Sequence, residues 1–146
     1  MSGQSPPLEA LTRAVNSFLD QIGLKYTRRD DGWIRLMFGD ITDAVVVWVL
    51  PQEWAKGDTL VQVMSIVRTD VRTGVALDVF LAEENGKLLF GKLVVEPDKS
   101  EVRFTQPLLG NFLNRAELQT AIGIAASMAQ TYDDVVAEKF GGRKPD

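Results

Sequence analysis

Asn85-Gly86-Lys87-Leu88-Leu89-Phe90-Gly91-Lys92 is the stretch that decides how this chain reads. Before it, Val75 to Glu84 carries Val75, Ala76, Leu77, Val79, Phe80, Leu81 and Ala82 at helical spacing. That segment closes in Ala82-Glu83-Glu84-Asn85-Gly86, where a left-handed residue costs little and a helix can stop. With so little polar face, the helix is expected to be buried on more than one side. After it, Leu88 to Val95 reads as extended. Glu96-Pro97-Asp98-Lys99-Ser100 turns the chain, and Val102-Arg103-Phe104-Thr105-Gln106 returns in strict alternation, with Pro107 expected to end the strand. A helix feeding a hairpin marks a mixed α+β chain.

A long helix follows the hairpin. Leu108 to Leu113 is expected as a loop turning at Gly110-Asn111. Asn114-Arg115-Ala116-Glu117 is then a capping pattern, in which Glu117 reaches back to the free backbone N–H of Asn114. Leu118, Ile122, Ala125, Met128, Ala129, Tyr132, Val135, Val136 and Phe140 hold helical spacing for roughly six to seven turns. Gly141-Gly142 stops it, and residues 143–146 are expected to be a flexible tail.

The first half supplies the rest of a sheet. Met1 to Ser5 is small and polar and is expected to be mobile. Ser5-Pro6-Pro7 starts a helix with a hydroxyl cap and prolines whose missing N–H groups cost nothing in the first turn. Leu8, Leu11, Val15, Phe18, Leu19 and Ile22 form its apolar stripe, and Gly23 stops it. Lys25 to Arg29 is short, polar and extended, and Asp30-Asp31-Gly32 is a turn. Trp33 to Phe38 is a strand, Gly39-Asp40-Ile41-Thr42-Asp43 a turn, and Ala44 to Leu50 the most β-prone run in the chain. Pro51 to Asp58 is expected as a loop carrying Trp54. Thr59 to Arg68 is a second long strand. Both long strands are apolar on both faces, so they belong at the centre of a sheet. The reading is one α+β domain over residues 1–146, an antiparallel sheet of about five to six strands with helices packed on it, in the order α-ββ(β)β-α-ββ-α.

Composition removes much chemistry. In 146 residues there is no cysteine and no histidine, so disulfides, thiolate or imidazole zinc sites and Ser-His or Cys-His nucleophile pairs are impossible. No apolar run approaches a membrane span, and no basic-then-apolar leader is read at the start. A reduced cytoplasm fits, and no membrane partner is expected. The net charge of −4 argues against a general phosphate-backbone binder. No cofactor is expected. Asp30-Asp31, Glu83-Glu84 and Asp133-Asp134 are sequence neighbours, which cannot face each other across a scissile bond, and they read as surface.

The element order resembles the YbjN family and the type III secretion chaperone-like fold that the family shares. The resemblance sits on Leu81 to Asn85 with Leu88-Leu89-Phe90-Gly91, on Gln106-Pro107-Leu108-Leu109, and on Ala129-Gln130-Thr131-Tyr132-Asp133-Asp134 followed by Phe140-Gly141-Gly142. It implies a homodimer that binds other proteins without enzymatic activity. It carries over no client.

Several groups of residues are candidates for that work. The doubly apolar sheet offers Val45, Val47 and Val49 on one face, or Val46, Trp48 and Leu50 on the other, to a second copy or a client; the same residues also suit a closed core. Val75, Leu77, Phe80 and Leu81 suit either a dimer seam or core packing. Trp54 is the aromatic best placed to anchor a client protein, while Trp33 and Trp48 also read as core. Thus Val45, Val47, Trp48, Val49 and Trp54 are the client-binding candidates. Lys25, Arg28 and Arg29, with Tyr26 among them and Lys99 and Arg103 expected nearby, form a minimal basic patch. The competing function is therefore an accessory role in nucleic-acid metabolism, through that patch or through a DNA-binding partner.

Overall fold

The structure, a computed structural model, describes residues 5–39 and 44–145. The turn at residues 39–43 and the two chain ends expected to be mobile therefore lie partly outside the described residues. Helix α1 (Pro6–Ile22) leads into strands β1 (Tyr26–Arg28), β2 (Ile34–Phe38), β3 (Val45–Ala55) and β4 (Asp58–Arg68). Helix α2 (Val75–Asn85), strands β5 (Lys92–Glu96) and β6 (Glu101–Leu109) and helix α3 (Arg115–Phe140) complete the chain. The six strands form one antiparallel sheet in the order β1-β2-β3-β4-β6-β5.

The helix ends follow local chemistry. Ser5 accepts from the Leu8 amide at 3.3 Å ahead of Pro6 and Pro7, and Gly23 closes α1 with φ 85°. At α3, Asn114 Oδ1 accepts from the Glu117 amide at 2.9 Å. Glu117 answers to the side-chain amide of Asn114, at 3.0 Å, rather than to its backbone as expected.

All three helices lie on one face of the sheet. Strand β4 alternates without a break: Thr59, Val61, Val63, Ser65 and Val67 are buried and their neighbours are half-buried. Ser65 is fully buried and donates to the Ala125 carbonyl of α3 at 2.7 Å, so this is the helix side. Val47 pairs with Ser65, and antiparallel partners share a face, so Val45, Val47 and Val49 point the same way. They meet Leu11, Val15 and Leu19 of α1 and Leu118, Ile122, Ala125 and Ala129 of α3 in one core cluster. Phe104 sits at its middle with no exposed surface. Burying a side chain of that size contributes about 2–3 kcal/mol. β3 and β4 stand at the centre of the sheet, as expected, and one face of each lies in the core.

Other departures have physical causes. There is no loop from Pro51 to Asp58: β3 runs on to Ala55 and turns at Lys56-Gly57, where Gly57 takes φ 81°. Pro107 does not end β6. Gly110 donates to Thr59 on β4 at 2.8 Å, so by alternation Pro107 turns its nitrogen away from β4. Strand β5 ends at Lys92, opposite Thr105, and leaves nothing on that side for a Pro107 N–H to bond. Helix α2 is buried along one side only, through Leu77 and Leu81, because it lies at the sheet margin against β5. Residues 143–144 are not a free tail: Thr69 and Arg143 exchange two backbone hydrogen bonds of 2.9 Å. Arg68 holds the same end, donating to Gly141 O at 3.1 Å and to Gly142 O, with Asp133 at 2.8 Å. Asp133 and Glu84 are accordingly half-buried and paired, not open surface as expected.

The decisive junction works differently from its reading. Gly86 is right-handed, at φ −64°. What stops α2 is Asn85, whose side chain accepts from the Leu93 amide at 2.7 Å and donates to the Leu93 carbonyl at 2.9 Å. It imitates a neighbouring strand and shields the outer edge of β5. The left-handed residue is Gly91, at φ 68°, where a Cβ would collide with the Phe104 ring. Replacing Asn85 with Ala should cost about 2 kcal/mol, near 1 kcal/mol for each lost hydrogen bond. Urea unfolding gives that cost, and amide exchange should quicken at Leu93. Asn85→Asp, which keeps only the acceptor, should fall between; parent-like curves for both would refute the clamp.

Candidate functional site

With three helices on one side, the opposite side of the sheet carries no helix among the described residues. Register fixes what it carries. One row runs Arg35, Trp48, Met64, Thr105 and Lys92. The next holds Met37 beside Val46, and Ile66 beside Arg103 and Val94. On the other flank lie Leu50, Gln62 and Pro107, then Gln52, Leu60 and Leu109. Trp48, Leu50, Leu60, Met64 and Ile66 are half-buried, and Met37 and Leu109 are 52% and 64% exposed. The sequence produces this because β3 and β4 alternate aliphatic with aliphatic: one set fills the core and the other is left facing out.

The rim of this face is charged. Arg29 lies 5.2 Å above the Trp48 ring and pairs with Asp31 at 2.6 Å. Trp33 meets Trp48 edge-on at 6.4 Å. At the other margin Arg103 pairs with Glu101 at 2.9 Å and with Glu96 at 3.7 Å. The face thus has an apolar centre about three strands wide between two ion-paired margins, the pattern of a dry core and polar rim.

The candidates separate on this frame. Val45, Val47 and Val49 are core residues of the single chain, at 7%, 0% and 0% exposure, and offer nothing to a client. Trp48 is on the open face, half-buried together with Trp33, so neither is interior as the core reading had it. Trp54 lies at the end of β3 rather than in a loop and is 58% exposed. Of the α2 residues, Leu77 and Leu81 are internal, and Phe80 packs against Phe140 at 5.5 Å with the Lys139 ammonium over its ring. Only Val75 points outward, and Val79, which the seam reading omitted, does so too. The i, i+4 spacing of Val75 and Val79, with exposed Ala82 a turn on, was the available signal.

Lys25, Arg28 and Arg29 stay together at the β1 margin, but Lys99 and Arg103 do not join them. They belong to the β5–β6 hairpin, four strand spacings away, about 19 Å. Asp30 and Asp31 stand among the first group, and the patch has no continuous positive field. Within the patch, burial and the neighbouring Asp20 carboxylate push the Tyr26 hydroxyl up; the other shifts lie elsewhere. Lys87 holds the Glu84 carboxyl below its usual range, and burial pushes the Tyr132 hydroxyl up, with Tyr132 donating to Glu84 at 3.2 Å. These groups tie α2 to α3. Among the described residues no helix is long and apolar enough to cross a membrane.

This helix-backed antiparallel sheet is a fold the chain shares with type III secretion chaperones. A chain of the HopA1–SchA chaperone–effector complex superposes with a TM-score of 0.69 at 6% identity, over 90% of this chain and 98% of that one. The Yersinia pestis type III secretion chaperone SycH in complex with a stable fragment of YscM2 gives 0.59 at 14%, over 83% and 98%. YbjN from E. coli gives 0.56 at 14%, over 88% and 93%. At such identities the likeness is one of fold. No curated protein matches the chain. The family model TY-Chap1, the T3SS (YopN, CesT) and YbjN peptide-binding chaperone 1, matches residues 9–146, and the chain belongs to that family.

Two neighbouring residues of β4 test the assignment of faces. Val63→Asp puts a charge in the core and should leave no folded protein, since its cost approaches the whole stability of a domain. Met64→Asp should fold, within about 1.5 kcal/mol of the parent. Circular dichroism and urea titration of the pair check this; equal damage from both would mean the second face is also closed.

Proposed function

We propose that this protein is a chaperone-like binder that acts as a homodimer in the cytoplasm, without catalysis, and holds an apolar segment of a client protein on the helix-free face of its sheet. The observation that carries the reading is the half-buried row of Trp48, Leu50, Leu60, Met64 and Ile66 across β3 and β4, with no helix packed over it among the described residues. Membership in a family of peptide-binding chaperones supports it, as does the likeness to chaperones solved with their effectors. Trp48 and Met64, adjacent on neighbouring strands, supply the polarizable anchors that dominate such contacts. Trp54 extends the surface at the hairpin end.

Dimerisation is assigned to the outer side of α2. Of the seam residues only Val75 remains available; Val79 and Ala82 continue it along one line of the helix. This seam lies beside β5, away from β3 and β4, so pairing would leave the client surface of both copies uncovered. For direct nucleic-acid binding no feature speaks, because Arg29 is engaged by Asp31 and by Trp48.

The test uses reduced insulin B chain as an aggregating client. The parent should suppress its light scattering near stoichiometric ratio, and Met64→Asp should lose most of that suppression while still folded. Undiminished suppression by Met64→Asp would overturn the surface. Val79→Asp should convert a dimer to a monomer in sedimentation without loss of helicity; a parent that already sediments as a monomer would remove the dimer.

A further inference from the structure

We infer that the segment held on the open face is an amphipathic helix with an acidic side chain at each end of its apolar stripe, and that Arg35 and Lys92 select it. This rests on the reading above that the open face holds a client, and it names the chemical class and the conformation of what is held.

Three residues in the outward rows described above are charged, and all three are positive: Arg35, Lys92 and Arg103. Arg103 is neutralised by Glu96 and Glu101. Arg35 and Lys92 have no ion-pair partner among the described residues. They stand at the two ends of one row, with Trp48, Met64 and Thr105 between them. The chain as a whole carries a net charge of −4, yet these rows hold no carboxylate. Arg35 is half-buried beside Trp48, where a guanidinium is partly stripped of water and a carboxylate brought by a partner forms a charge-assisted pair. Two cations set apart by apolar side chains do not suit a nucleic acid, whose closely spaced phosphates need a continuous positive field.

The backbone of the sheet decides the conformation. At this row β3, β4 and β6 each have a strand on both sides. Their main-chain N–H and C=O groups bond within the ladders, so a segment lying on the face meets side chains only. An extended segment would bury its own peptide groups against Trp48 and Met64 without partners, which is costly. A helix satisfies them internally, and its diameter of about 10 Å covers this row and part of each neighbouring row. From Arg35 to Lys92 the row crosses four strand spacings, about 19 Å. Two positions about three or four helical turns apart share one face and lie roughly 16 or 22 Å apart. Those separations bracket the span between the two cations.

The probe is an alanine- and glutamine-based peptide with two leucines between two glutamates, all on one helix face, the glutamates about three turns apart. It is titrated into the full chain and followed by amide shifts of the protein and by the circular dichroism of the peptide. Saturable shifts at Arg35, Trp48, Met64 and Lys92 and a gain of peptide helicity are expected. Replacing both glutamates by glutamine should weaken binding about tenfold, and Arg35→Gln should reproduce most of that loss. Charge exchange separates recognition from stability: a chain carrying Arg35→Glu and Lys92→Glu should reject the acidic peptide and bind the counterpart with lysines in place of the glutamates. A purely structural Arg35 would not give that inversion. Lys92 is exposed, so Lys92→Glu alone carries the same test if the double variant does not fold: it should weaken the acidic peptide and favour one with lysine at the matching end. Equal affinity for the glutamate and glutamine peptides, binding without gain of helicity, or displacement of the peptide by single-stranded oligothymidylate would overturn the inference and leave the client reading standing. So would a parent that binds neither peptide yet suppresses insulin aggregation. No binding and no suppression would overturn both.

Discussion

Three helices cover one face of this sheet, and among the described residues no helix covers the other. That constraint sets the rest. The pairing of Val47 with Ser65, and of Ser65 with the Ala125 carbonyl, fixes which side of β3 and β4 is interior. Once it is fixed, every second residue of both strands is committed outward, Trp48, Leu50, Leu60, Met64 and Ile66 among them. A chain that needed only stability would place threonine or lysine there. The aliphatic choice leaves contiguous apolar surface at the sheet's outer face.

The same constraint explains how unevenly the sequence could be read. The architecture was legible: the capped starts of α1 and α3, the alternation of β6 and the aliphatic runs of β3 and β4 are local signals, and the structure follows them. Which face was closed was not legible, because a strand apolar on both sides carries no sign of its inside. Within β3 alone, Val45, Val47 and Val49 read as well for a surface as Val46, Trp48 and Leu50, and the sides are told apart only through pairing: Arg35 and Gln62 fall beside Trp48 and Leu50, and Ser65 falls beside Val47 with the Ala125 carbonyl as its acceptor.

Errors at the margins share a different cause: they depend on what stands next to a strand. Pro107 looked like a terminator because its missing N–H is fatal in a central strand, and here β5 has already ended. The α2 helix looked enclosed because its composition is apolar throughout, whereas a helix at a sheet margin finds neighbours along one side only. Asn85-Gly86 looked like a left-handed stop, yet the asparagine ends the helix by bonding Leu93, eight residues on. Arg103 and Lys99 could not be placed relative to Arg28 without knowing that β6 inserts between β4 and β5.

That insertion also shapes the route by which the molecule assembles. Strands β3 and β4 are joined by a two-residue turn, so their ladder forms between close neighbours in the chain. The β5–β6 hairpin is equally local. The β4–β6 ladder is not: α2 and β5 both intervene in sequence, and the two hairpins meet only when the loop carrying them closes. The entropic cost of building the sheet is therefore concentrated in one event, the docking of two preformed hairpins. Until it happens, Val61, Val63, Val102 and Phe104 lack their partners across the β4–β6 ladder, and the apolar interior of the finished protein stands open to water.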